Sequence, residues 1–139
     1  MPVTGTVGVL ADDLIWASRL IEAVRRAGAS ALRLGSAVDL ERALDGVGGG
    51  ASADARGARV GPLCGVIVDL VGRRYDGVAA VERIRRAGVA VIAVAEHDDL
   101  ATRKRAITAG AARVFSYNKF STDGARLVAA WLSADGGGS

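Results

Sequence analysis

The chain has 139 residues, half of them hydrophobic, with 18 basic against 15 acidic side chains and a net charge of +3. That length fits one domain able to bury its own core, and the composition excludes a disordered or fibrous chain. The basic residues, nearly all Arg, are scattered over helical patterns with no block and no aromatic interleaving, which excludes a nucleic-acid surface.

Cys64 is the one cysteine, so neither an intramolecular disulfide nor a Cys-based metal cluster can form. Met1 to Gly5 shows no basic or apolar leader, and the longest apolar run, Val89 to Ala95, is too short to span a bilayer. The expectation is a cytoplasmic protein with no membrane contact.

In chain order, Thr6 to Ala11 reads as a first strand that ends in the acidic pair Asp12-Asp13. A helical pattern follows, with Ala17, Leu20, Ile21 and Val24 on one face. It closes at Arg25-Arg26-Ala27-Gly28, where basic residues meet the helix dipole and a glycine supplies the cap. Ala31 to Leu34 is a short second strand and Val38 to Leu44 a short helix.

From Asp45 to Gly61 the chain turns to Gly, Ala, Ser, Asp and Arg, too poor in apolar side chains to order itself, and a mobile loop is expected. The third strand, around Val66 to Asp69, is apolar throughout, as in a parallel sheet covered on both faces. A loop from Leu70 to Asp76 leads to a helix from about Gly77 that ends in Arg85-Arg86-Ala87-Gly88.

Val89 to Ala95 is the fourth strand, and Glu96-His97-Asp98-Asp99 a polar loop able to cap the helix Leu100 to Ala109. Arg113 to Tyr117 is the fifth strand. Ser121 or Thr122 then caps a last helix ending at Leu132, with a frayed tail over 134–139. His97, the only histidine, reads as a solvated loop residue, and Trp16 and Trp131 as packing residues.

Five strands alternating with five helices predict a single α/β domain over 1–139, with its core at about 5–132: a doubly wound, flavodoxin-like parallel sheet. The commonest strand order of that class, 2-1-3-4-5, brings Asp12-Asp13 and Asp69 to one edge of the sheet, where such folds keep their chemistry. Three carboxylates so close cannot all stay ionised cheaply; a shared proton or a hard cation relieves them. Alternatively, Asp12 or Asp13 is simply the cap of the first helix.

From about Gly5 to Leu132 the chain resembles a response-regulator receiver domain of two-component signalling. The segments that carry the resemblance are Leu10-Ala11-Asp12-Asp13, Asp69 with Gly77 eight residues later, Ala95 to Asp99, and Ala109-Gly110-Ala111. The resemblance implies Mg²⁺ held by Asp12, Asp13, Asp69 and the backbone carbonyl of Val71. Asp69 would be the phosphoacceptor, taking its phosphoryl group from a sensor histidine kinase or a phosphotransfer protein.

The sequence departs from the family at several positions. The switch hydroxyl at the end of the fourth strand aligns with Ala95, and the lysine after the fifth strand with Tyr117. Lys119 lies two residues further on and reaches the site only if its loop rearranges. The aromatic switch aligns with Val114 and the proline of the third loop with Arg73; Arg73 and Arg74 read as a surface arginine pair, the alternative being an anion site or a stand-in for the lost lysine.

The expectation is an atypical, stand-alone or excised receiver, phosphorylated weakly or not at all. It signals to a downstream protein, or forms a homodimer, through the face built by helix four, strand five and helix five. A phosphorylation-independent pseudo-receiver is the alternative. An aspartyl phosphatase is disfavoured because Val71 stands where its second acid belongs, and a small-molecule binder because no phosphate loop is readable.

Overall fold

The computed structural model describes residues 5–45, 52–53, 59–60 and 63–137. Five strands form the main sheet: β1 (Thr6–Leu10), β2 (Ser30–Leu34), β3 (Leu63–Asp69), β4 (Val91–Ala95) and β5 (Val114–Ser116). They run parallel in the order β2-β1-β3-β4-β5. This is the predicted 2-1-3-4-5 arrangement of a flavodoxin-like sheet.

Four helices connect the strands and a fifth follows the last: α1 (Leu14–Arg26), α2 (Ala37–Asp45), α3 (Gly77–Arg86), α4 (Leu100–Ala109) and α5 (Tyr117–Gly137). Helix α1 packs on α5, and α3 on α4. The alternation of strand side chains divides the core into two layers. Val66, Val68, Val91 and Ala93 belong to the layer under α2, α3 and α4, whereas Val7, Val9, Ile67, Ile92 and Val94 belong to the layer under α1 and α5.

The helix ends follow the sequence signals. Asp13, Asp76 and Asp99 cap α1, α3 and α4 through bonds from backbone N–H groups one turn on. After α1 and α3, Gly28 and Gly88 take φ of 95° and 79°, a region open to glycine but costly for other residues.

Two boundaries differ from expectation. The chain leaves β5 at Ser116, and α5 begins at Tyr117, well before Ser121. The reason is a nearer cap: Ser116 Oγ accepts a bond from Lys119 N at 3.1 Å, which starts the helix one turn earlier. Thr122 then lies inside α5 and donates back to the Asn118 carbonyl at 3.1 Å. At its other end α5 continues to Gly137, past the expected end at Leu132 and through most of the expected tail.

The Gly-rich stretch 45–61 falls largely outside the described residues. Within it Asp45 closes α2, and Ser52–Ala53 pairs antiparallel with Arg59–Val60 in a short ribbon apart from the main sheet. No helix among the described residues is long and apolar enough to cross a membrane.

Candidate functional site

The period of two along β3 decides where Asp69 points. Gly65 lies against Trp131 of α5 and Ile67 belongs to the α1/α5 layer, so Asp69, two residues on, emerges on that face at the strand's carboxyl end. It is only 2% exposed. Asp12, Asp13, Asp69, Glu96, Arg74 and Tyr117 are among the residues lining a cleft of about 460 Å³ at this edge. The predicted convergence of the two acidic segments is therefore seen.

The bonding within that cleft differs from a simple acidic trio. Tyr117, at the lysine position, donates its hydroxyl to Asp69 Oδ1, and Val71 N donates to the same oxygen at 3.1 Å. Asp12 Oδ2 accepts the N–H groups of Arg73 at 2.7 Å and Arg74 at 2.9 Å. Asp13 Oδ1 caps α1, accepting from Ile15 N at 2.9 Å and Trp16 N at 3.1 Å.

The other sequence-predicted residues are placed as follows. Val71 contributes its N–H to Asp69, and its side chain is 49% exposed. Ala95 is buried in the layer under α3 and α4, with no hydroxyl to offer a phosphoryl group. Val114 is half-buried against that layer, and its carbonyl accepts from Arg103 Nη2 at 3.2 Å. Lys119 does not reach the acids: its Nζ pairs with Asp123 Oδ2 at 2.8 Å, one turn along α5. The early start of α5 fixes this, because Lys119 falls within the helix rather than in a loop free to rearrange.

Two aromatic residues carry more of the site than the sequence revealed. The Tyr75 ring is buried, and its hydroxyl lies 2.6 Å from the Asp69 carbonyl and 3.0 Å from the Leu10 carbonyl, so one proton is shared between two strand tips. Trp16 packs at a tilt of 42° against Tyr117 with ring centroids 4.4 Å apart, and Arg19 lies 5.1 Å above the Trp16 ring. The signal for Trp16 was its place one turn after the cap at Asp13, where a helix side chain overhangs the strand end.

Electrostatics follow from these contacts. Burial raises the Asp69 carboxyl above the usual carboxylate range; the Tyr117 and Val71 bonds oppose it, and the charges of Asp12 and Asp13 reinforce it. Asp12 loses some solvation too, but the N–H groups of Arg74 and Arg73 outweigh that and lower its pKa. Burial, then the bond to Asp69, drives the Tyr117 hydroxyl well above its ordinary value, so it stays a donor.

A stability prediction follows. In the window between the ordinary Asp value and the raised one, Asp69 is protonated in the fold and ionised in the unfolded chain, so stability falls as pH rises through it. Asp69→Asn still accepts from Tyr117 and Val71 but carries no charge. It should be more stable than the parent near neutral pH and equal to it below the window. Urea denaturation at several pH values measures this, and a less stable variant at neutral pH would contradict it.

The metal implied by the family resemblance does not fit the cleft as it stands. Among the described residues no three His, Cys, Asp or Glu side chains are grouped so as to hold a metal ion. One oxygen of each acid in question is already bonded to the protein's own donors. Mg²⁺ held by Asp12, Asp13, Asp69 and the Val71 carbonyl would have to share or displace these bonds.

Comparison with known proteins bears on the fold. No protein-family model matches the sequence, and no curated protein does. Among solved structures, a receiver domain protein from Clostridium thermocellum is 16% identical, with a TM-score of 0.72 over 93% of this chain and 94% of that one. A CheY-like receiver domain protein from Methanospirillum hungatei is 13% identical, with a TM-score of 0.74 over 98% and 99%. Full-length FixJ from B. japonicum is 17% identical, with a TM-score of 0.71 over 94% of this chain but 59% of its own length. At such identities what is shared is the architecture, and the chain has the fold of the response-regulator receiver domains.

Proposed function

We propose that this chain is a receiver-type signalling module that works by protein contacts, and in which Asp69 is phosphorylated weakly or not at all. The observation that carries this reading is the Tyr117 hydroxyl bonded to Asp69 where the family keeps an ammonium group. Phosphoryl transfer depends on positioning and on neutralising charge at the transferred group. A phenol donates a proton but brings no positive charge, and Lys119 is held away by Asp123.

The second requirement, a switch, is also unmet. A conformational change needs a contact that differs between the two states. The side chain of Ala95 cannot provide one, and Val114 is not the large aromatic that would follow it. What supports signalling by contact is the outer surface: Leu100 and Ile107 of α4 are 70% and 48% exposed. The partner in this reading is a downstream protein, or a second copy, docking on the α4-β5-α5 face; a histidine kinase or phosphotransfer protein is a weak donor at most.

Incubation with acetyl phosphate and Mg²⁺, read by intact mass, tests this. The parent chain should gain little or no phosphoryl mass, and Tyr117→Lys should gain more. Efficient, stable modification of the parent that disappears in Asp69→Ala would overturn the proposal.

A further inference from the structure

The tyrosine at the mouth of the cleft has a consequence for ion binding, which deepens the proposed function and rests on the same pocket. We infer that Tyr117 works against a divalent cation in the acidic cleft, by engaging with its hydroxyl one of the two Asp69 carboxylate oxygens. Hard cations such as Mg²⁺ and Mn²⁺ demand oxygen donors in near-octahedral array, and tolerate few substitutes for a well-placed carboxylate. Asp69 is the one acid here whose backbone lies in the sheet itself, so it is the natural anchor for such an ion.

Three independent features hold Tyr117 over that anchor. The Ser116 cap fixes the first turn of α5, and with it the Tyr117 backbone. Trp16 packs against the ring from α1, and Arg19 covers the outer face of Trp16. The hydroxyl bond to Asp69 completes the closure. Moving the ring aside costs the packing against Trp16, and leaves a carboxylate in a site with little water to solvate it.

The flanking acids do not compensate. Asp12 Oδ2 is bonded to two loop N–H groups and Asp13 Oδ1 to two helix N–H groups. Each is thereby partly neutralised without a metal, because donors at a helix start and in a tight loop carry partial positive charge. With Val71 N on Asp69, a cation would have to compete with five amide donors as well as the phenol.

Direct titration with Mn²⁺, following the free ion by electron paramagnetic resonance, tests the inference without any phosphodonor. The folded parent should show no saturable site through the millimolar range. Tyr117→Ala opens the space above Asp69 and should bind one Mn²⁺ at least about tenfold more tightly than the parent, a gain lost in Tyr117→Ala/Asp69→Asn. Should the alanine variant fail to fold, Tyr117→Phe keeps the ring against Trp16, removes the phenol from Asp69 Oδ1 while the Val71 N bond stays, and should show a smaller gain in the same direction.

Saturable binding by the parent that Asp69→Asn removes would overturn the inference. So would folded Tyr117 variants that bind no better than the parent. Because phosphoryl mass and ion binding are separate measurements, a parent that binds Mn²⁺ yet resists acetyl phosphate would sink this inference and leave the proposed function standing.

Discussion

Gly72→Ala should destabilise the fold by about 2–4 kcal/mol, an unusually large effect for a loop position, and displace the segment that frames the acidic cleft. A Cβ on Gly72 would overlap the Tyr75 ring at Cζ and the hydroxyl. The ring has no easy retreat. It is buried, and its hydroxyl is tied to the carbonyls of Leu10 and Asp69 at the tips of β1 and β3. Either the loop lifts or the hydroxyl lets go, and both cost hydrogen bonds in a buried setting.

The loop that would lift is the one whose N–H groups serve the acids. Val71 N bonds Asp69, and Arg73 N and Arg74 N bond Asp12, so the strain at Gly72 passes directly into the site. A double-mutant cycle with Tyr75→Ala isolates the clash. Tyr75→Ala alone costs stability by leaving a cavity, but Gly72→Ala added to it should cost little more. If Gly72→Ala is as damaging without the tyrosine ring as with it, the glycine matters for another reason and the clasp is not what holds the loop.

How much of this was legible in the sequence depends on the distance over which the deciding contacts act. The sheet was legible because its strands are nearly continuous apolar runs, and a run such as Val66 to Val68 has one good environment, buried on both faces. The helix endings at Gly28 and Gly88 were legible because a cap is a local matter of backbone conformation. The edge position of Asp69 followed from strand order, which the class supplies.

What could not be read was which donor each acid would accept. Asp13 and Asp12 are neighbours with the same chemistry, yet one caps α1 and the other binds the β3–α3 loop, some sixty residues away in sequence. The place of Tyr117 turned on a choice between two serine caps five residues apart, Ser116 and Ser121, whose local signals are equivalent. The nearer one moves a tyrosine from the end of a strand to the mouth of the site and carries Lys119 out of reach. Tyr75 gave no signal at all, because an aromatic in a polar loop reads the same whether it is exposed or folded beneath the chain.

The other large effect is expected at the far end of α5. Trp131→Ala should cost about 3–5 kcal/mol, since the indole is 7% exposed and fills the space left by the missing side chain of Gly65 on β3. The fit is close: a Cβ on Gly65 would stand 2.5 Å from Trp131 Cη2, so Gly65→Ala should also destabilise, by overpacking.

Trp131→Phe should be far milder than Trp131→Ala, because the indole Nε1 is buried with no hydrogen-bond partner among the described residues and its loss removes an unsatisfied donor. Guanidinium denaturation ranks the three variants. With Trp131 gone, Trp16 is the only tryptophan of the two in the sequence, so its emission reports the cleft alone.

Tyr117 is held by the Ser116 cap, the Trp16 ring and Asp69, all at the opposite end of the helix from Trp131. Trp16 emission in folded Trp131→Ala should therefore match that of Trp131→Phe, even though their stabilities differ by several kcal/mol. A shift in that emission would mean that Tyr117 is positioned by the packing of the whole helix rather than by its first turn.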